Sequence, residues 1–246
     1  MEFDSSDDIQ IEKLHIKGLK LIQNRKQFMF GIDAVLLSDF AKVRKGNLVF
    51  DLGSGNGIIA VLIASKNDVK VKAVEVQKSV FELTEQNIKI NSLENKIEAV
   101  NINVKDIKKN FDAQIADVVV SNPPYIKSNS AVKNETEALS IARHEILAEL
   151  DDFVKAASYV LKPNGKFYLI HKPERIAEII ISCSKYNLEL KQMRLVVPQI
   201  EKDAVMVLMQ FVKCAKPGVK VEKSLVIYGE DGEYTDEVKK IYERDA

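Results

Sequence analysis

The sequence predicts an α/β fold: a mostly parallel sheet between two layers of helices, finished by an antiparallel hairpin near the C-terminus. Three observations predict it. Between residues 48 and 170, short β-rich runs alternate with longer stretches of helical periodicity, the pattern of repeated βαβ units. A glycine-rich turn, Asp51 to Gly57, joins the first such run to the helix that follows. Last, two extended runs at 188–197 and 204–212 are separated only by a short link holding Pro198 and Asp203.

Taken in order, residues 14–22 read as a strand pair turning at Gly18, and 33–43 as a helix. Leu48–Leu52 (LVFDL), apolar but for Asp51 and followed by a glycine turn, has the pattern of a buried strand. Residues 58–65 read as a helix and 71–76 as the second strand of the alternating region. In 79–91, Val80, Phe81, Thr84, Asn87 and Ile88 fall at spacings that line one helical face. Strands are expected at 97–102 and 116–120, the latter stopped by Pro123 and Pro124. A helix over 142–161 should end at Pro163-Asn164-Gly165, with a strand at 166–170 and a helix beginning near Pro173.

Composition bounds the class. The chain has 246 residues, 46% hydrophobic and 29% charged, which is ordinary for a globular protein able to bury roughly 70% of its unfolded surface. Lys plus Arg and Asp plus Glu balance at 36 each, so net charge argues neither for nor against a polyanionic partner. Cys183 and Cys214 lack metal-ligand spacing and read as free, buried thiols of a reducing compartment; no metal site is expected. The acidic N-terminus does not resemble a signal peptide, and the longest apolar runs fall far short of the ~20 residues that span a bilayer. A cytoplasmic location follows as the expectation. The whole chain, 1–246, reads as one domain with an N-terminal extension (1–46) and a basic C-terminal tail (213–246).

The glycine turn lies at the carboxyl edge of the sheet, where ligands bind in open α/β folds. Gly53, Gly55 and Gly57 let the backbone approach a ligand that a Cβ would push away. Glu75 ends the next strand and can accept hydrogen bonds from both hydroxyls of a ribose. A nicotinamide dinucleotide is the rival ligand, but its fingerprint wants GxGxxG, whose third glycine here falls on Ile58. A carboxylate at Asp51 suits an ammonium rather than a pyrophosphate, which favours S-adenosylmethionine.

Ser121-Asn122-Pro123-Pro124-Tyr125 ends the strand at 116–120, on that same edge. Methyl transfer from a sulfonium needs a lone pair aimed at the methyl carbon, and an aromatic or amide –NH2 has its lone pair delocalised. Two acceptors, the Asn122 side-chain oxygen and the Pro123 carbonyl, would bind its two N–H groups and favour a more pyramidal nitrogen. Consecutive prolines hold that strand end extended. Tyr125 offers a face on which a flat group stacks. Positioning carries the catalysis, with no general base or metal needed before transfer.

These residues resemble the class I amino-group methyltransferases carrying an (Asn/Asp)-Pro-Pro-(Tyr/Phe) motif, over residues 23–213. The resemblance implies a Rossmann-like class I methyltransferase sheet, with Asp51, Gly53, Gly55 and Gly57 at the methionine part of the cofactor and Glu75 at its ribose. It also puts Asp106 at the adenine amine and Asn122 between cofactor and substrate.

The motif is shared by adenine, guanine and protein-glutamine enzymes. Phe28-Met29-Phe30-Gly31-Ile32-Asp33-Ala34, Arg143-His144-Glu145, His171-Lys172-Pro173-Glu174-Arg175 and the tail around Tyr228 and Tyr234 look like the tRNA(Val) adenine-N6 methyltransferase family. That likeness implies tRNA, held at its anticodon arm, as the partner. Phe30 is either core or substrate-facing; Asp33 either caps its helix or faces the substrate. Arg143 and His144 either line the channel or sit on a solvated face, and His171 ends a strand at the ligand edge. Lys213, Lys216 and Lys220, with Lys127 and the lysines at 105, 108 and 109, are candidate phosphate contacts or solvated surface. A nucleotide-binding module without catalysis is the remaining reading, and the intact Asn122 motif argues against it.

Overall fold

In the computed structural model, which describes residues 9–14, 16–24, 31–124 and 148–242, the apolar runs of the central region pair into one sheet. Its strands are β3 (Leu48–Leu52), β4 (Lys70–Glu75), β5 (Ile97–Asn101), β6 (Ala116–Ser121), β7 (Leu161–His171), β8 (Leu188–Val197) and β9 (Met206–Lys213). They lie in the order β8-β9-β7-β6-β3-β4-β5. Every pairing from β7 to β5 is parallel, whereas β9 runs antiparallel to both β7 and β8. The expected fold class is therefore the observed one. Two short strands, β10 (Lys220–Val221) and β11 (Leu225–Val226), pair along β8.

The chain first builds outward from β3 to β4 and β5, then returns to place β6 on the other side of β3. Beside β3 the order reverses, and the loops after β3 and β6 diverge there to leave a crevice. Buried apolar residues such as Val49, Phe50, Leu52 and Val118–Val120 make these central strands inaccessible on both faces.

One face is covered by α1 (Ile32–Phe40), α2 (Ile58–Lys66) and α7 (Asp236–Ile241). α2 is buried nearly all round, from Ile58 to Ala64, because it lies between sheet and neighbouring helices. α3 (Lys78–Ile90) buries Val80, Leu83, Thr84, Asn87 and Ile88; Phe81, expected on that stripe, is only half-buried. The opposite face packs against α4 (Ile107–Asn110), α5 (Leu150–Val160) and α6 (Ile176–Lys185).

Several boundaries differ from expectation for local reasons. The N-terminal hairpin turns at Gly18 as expected (φ 67°), but its strands, β1 (Ile9–Lys13) and β2 (Lys20–Asn24), lie further out along the chain. The helix expected over 142–161 starts at Leu150, where Glu149 and Asp152 form a reciprocal capping box; residues 142–147 lie outside the described residues. The turn at 163–165 sits inside β7, as a bulge with Asn164 at φ 63°. A Cβ at Gly165 would come within 2.8 Å of the Lys162 carbonyl, so the bulge needs glycine. Cys183 is buried as expected, but Cys214 is exposed in the turn that follows β9. Residues 213–242 are not a loose basic tail: they supply β10, β11 and α7, and Glu222, Glu230, Asp231, Glu233, Asp236 and Glu237 offset their lysines.

Candidate active site

The glycine turn after β3 takes a conformation that favours glycine: Gly53, Gly55 and Gly57 all have positive φ, at 72°, 57° and 81°. The amides of Gly53 and Ser54 both donate to the Val74 carbonyl at 2.9 Å, which fastens the turn to β4. A Cβ at Gly53 would lie 2.9 Å from the Phe153 ring, and one at Gly57 2.7 Å from Thr84 Cγ2. The turn is thus pressed between α5 and α3. From α3, the Thr84 hydroxyl donates to the Gly55 carbonyl at 2.7 Å, and Asn87 Nδ2 donates to the Asn56 carbonyl at 2.9 Å. Asn87 also takes the Ile22 amide (2.6 Å) and donates to the Ile22 carbonyl (3.0 Å), clasping β2 to the same turn.

Polar atoms left over in this cradle point to a ligand. Both Asp51 oxygens, the Ser54 hydroxyl and the whole Asn56 side-chain amide are buried without a hydrogen-bond partner among the described residues. Buried polar groups are normally satisfied, so such a cluster needs an explanation. Burial pushes the Asp51 carboxyl up to about 7; the nearby Ala60 amide opposes this and the Glu75 charge adds to it. Glu75, 6% exposed, accepts the amides of Gly55 (3.1 Å) and Gln77 (2.8 Å). Burial raises its pKa too, against those amides. The Val76 amide also favours its charge, and a carboxylate with about four acceptor sites still has room for a hydroxyl. A ligand with an ammonium and a ribose diol fits this donor set, and S-adenosylmethionine carries both.

Across the crevice, the Ser121 hydroxyl donates to the Leu52 carbonyl at 2.7 Å, tying the end of β6 to the strand that leads into the glycine turn. Asn122 follows, half-buried, and its Nδ2 donates to Asp33 Oδ2 at 2.9 Å. Asp33 lies in the first turn of α1, with Oδ1 held by the Ala34 amide at 2.9 Å. His171, at the end of β7, is fully buried. The Lys172 amide approaches its Nδ1 at 2.7 Å and Arg175 Nη1 its Nε2 at 3.3 Å, and the ring also hydrogen-bonds the Pro124 backbone carbonyl. Burial first, then the Arg175 charge, lowers the His171 pKa to about 4, so the ring is neutral near pH 7. Arg175 in turn makes a paired contact with Glu178, at 3.0 and 2.5 Å.

Asp51, the three glycines, Glu75, Asn122, Pro123, Pro124, Asp33 and His171 therefore gather at one sheet edge. Asp106, just past β5 on that edge, is paired with Lys109 at 2.6 Å. Tyr125, Phe30, Lys127, Arg143 and His144 lie outside the described residues. Of the described lysines expected to meet RNA, Lys105, Lys108 and Lys109 flank Asp106, whereas Lys213 is not brought here. Lys213 pairs in register with Leu188, at the opposite end of the sheet, and its ammonium donates to the Ser158 and Leu161 carbonyls (2.5 and 2.8 Å). Partial burial lowers its pKa. The Lys216 carbonyl takes Lys191 Nζ, and Lys220 pairs with Glu222 at 3.1 Å. Lys105, Lys108 and Lys109 are engaged by Asp152, the Tyr159 ring and Asp106. Sequence reasoning gave Thr84 and Asn87 only a place on the apolar stripe, and it missed Asn56 and Phe153. The first two carried a signal, since polar residues on a buried face need partners.

Proteins named tRNA1(Val) (adenine(37)-N6)-methyltransferase are similar along most of the chain. The one from Phocaeicola vulgatus is 26% identical, covering 87% of this chain and 92% of that protein. The one from Haemophilus influenzae strain PittGG is 28% identical, covering 92% and 94%. Among solved structures, a predicted O-methyltransferase from Agrobacterium tumefaciens superposes with a TM-score of 0.72 at 19% identity, over 86% of this chain and 95% of that one. P. horikoshii TYW2 in complex with MeSAdo gives 0.59 at 20% identity, over 85% and 73%. At such identities the structures speak for the fold alone. The family model described as methyltransferase small domain matches residues 32–193, from the helix carrying Asp33 through both edges of the crevice, and the chain belongs to that family.

Proposed function

We propose that this chain methylates the N6 amine of an adenine in tRNA, at the adenosine that follows the anticodon of a valine tRNA. The observation that carries the chemistry is the position of Asn122, tied through Ser121 to β3 and facing the same crevice as the glycine turn. The substrate rests on the names of relatives that align along about nine-tenths of the chain. Bound over the turn, S-adenosylmethionine supplies an electrophilic methyl group on a sulfonium. Asp51 would hold its ammonium and Glu75 its ribose. Asn122 Oδ1 and the Pro123 carbonyl would accept the two N–H groups of the adenine amine, fixing the nitrogen for in-line attack. Once the amine is methylated, its surplus proton would leave to solvent. Neutral His171 does not take that proton; it holds the Pro124 carbonyl and with it the path of the motif. Tyr125 would stack the extruded base. A tRNA substrate places the enzyme in the cytoplasm, and among the described residues no helix is long and apolar enough to cross a membrane.

Asn122→Ala tests the reading. It should reduce methyl transfer to unmodified tRNA by at least about 100-fold, since mispositioning of a reacting group costs on that order. Cofactor affinity, measured by calorimetry, should stay within about twofold of wild type. Label appearing in guanine or in a protein glutamine instead would reassign the substrate and keep the chemistry.

A further inference from the structure

We infer that Asp33 is a positioning residue that sets which end of the Asn122 amide meets the substrate. This rests on Asn122 being the group that receives the amine. A planar amide has a donor end and an acceptor end that exchange on a half-turn about its last side-chain bond, and its own shape barely distinguishes them. A substrate –NH2 brings only hydrogens to be accepted, so the wrong half-turn sets donor against donor. A carboxylate is acceptor-only, and one sits 2.9 Å from Nδ2. Nδ2 must therefore face Asp33, and Oδ1 faces away from it.

The carboxylate is itself held in place. Its other oxygen takes the Ala34 amide at 2.9 Å, within the first turn of α1. Gly31 leaves the room: a Cβ there would lie 2.8 Å from Asp33 Oδ1. The Gly31-Ile32-Asp33 sequence thus builds a fixed acceptor at a helix start, 89 positions from the residue it orients. A helix-cap role alone would need only the Oδ1 contact; the Oδ2 contact with Asn122 is what distinguishes the two readings.

The test exchanges the partners. Asp33→Asn can bond Asn122 in either sense, so Oδ1 is no longer directed. Methyl transfer should fall at least about twofold in kcat, since only one of the two senses leaves Oδ1 for the substrate. Asn122→Asp sets two carboxylates side by side and should fall at least as far. The double variant, Asp33→Asn with Asn122→Asp, restores one donor facing one carboxylate and again leaves an acceptor for the substrate. It should regain at least about tenfold over Asn122→Asp. A signature independent of turnover is the Asn122 side-chain NH2 in a 15N NMR spectrum: one proton is shifted downfield in wild type and returns to the usual range in Asp33→Asn. Melting curves for all three proteins separate loss of function from loss of fold. The inference is overturned if folded Asp33→Asn keeps wild-type kcat, if the double variant is no better than the worse single one, or if the NH2 signal does not move. Should wild type methylate no tRNA, the proposed substrate fails, while the NMR comparison still judges Asp33 on its own.

Discussion

Asp51 is fully buried, and only the Ala60 amide favours its charge. A carboxyl group removed from water without partners costs several kcal/mol when charged, and here burial raises its pKa from 3.8 to about 7. Across that window the folded protein keeps a proton that the unfolded chain has lost, so ligand-free stability declines as pH rises from about 4 to about 7. An ammonium ligand reverses the balance by favouring the ionised form. Cofactor affinity should then fall about tenfold per pH unit below pH 7, as Asp51 takes up its proton. Calorimetry between pH 5.5 and 8 checks this. Asp51→Asn, the same size and uncharged, should flatten the profile, weaken binding at pH 8 and raise the ligand-free melting temperature at that pH. An unchanged profile would remove Asp51 from the ligand's contacts. His171 works in the opposite sense: with its pKa lowered to about 4, its contribution is present above pH 6.5 and lost as pH falls toward 4.

At the scale of elements, α3 both packs the sheet and holds two other segments. Asn87 makes three hydrogen bonds, two to Ile22 of β2 and one to Asn56 of the glycine turn, while Asn91, one turn on, bonds both the amide and the carbonyl of Lys20. Asn87→Ala strands three buried backbone groups, each worth roughly 1–3 kcal/mol when unsatisfied, so a loss of at least about 2 kcal/mol is expected. Urea unfolding measures it, and faster hydrogen exchange at the Ile22 amide would locate it. The sequence made α3 legible as an amphipathic helix but not as a clasp. Its apolar spacing depends on local periodicity, whereas the partners of Asn87 lie 31 and 65 positions away. The same separation hid the link from Asp33 to Asn122. Elements with strong periodicity, β3 to β6 above all, fell within a residue or two of expectation. Residues 161–165 did not, because a strand that bulges around Asn164 reads locally as a turn.

For the whole molecule, the sheet order decides which residues can act together. Reversal beside β3 brings Asn122 and the glycine turn to one crevice, and an antiparallel β9 lets β7 deliver His171 to that edge while carrying Lys213 to the other. Charge runs in a sequence do not reveal such sidedness, so Lys213 read as a candidate for RNA contact without its end of the sheet being known. The segment after β11 is built into the core. Val238 (0% exposed) and Ile241 (7%) of α7 pack in the core with α1, and Arg194 grips Glu237 at 2.7 and 2.8 Å. Ending the chain after Tyr228 should cost about 3–5 kcal/mol from those two side chains alone. Chemical denaturation would register this as a lower midpoint; an unchanged midpoint would return the segment to the role of a tail.

The central claim is that Asn122 presents an adenine amine to a methyl donor held over residues 53–57. Nucleoside mass spectrometry of tRNA from cells lacking the gene, restored with either the wild-type or the Asn122→Ala chain, tests it most directly. The account predicts N6-methyladenosine absent without the gene, recovered with wild type and missing with Asn122→Ala. Equal levels of that nucleoside in all three would contradict it.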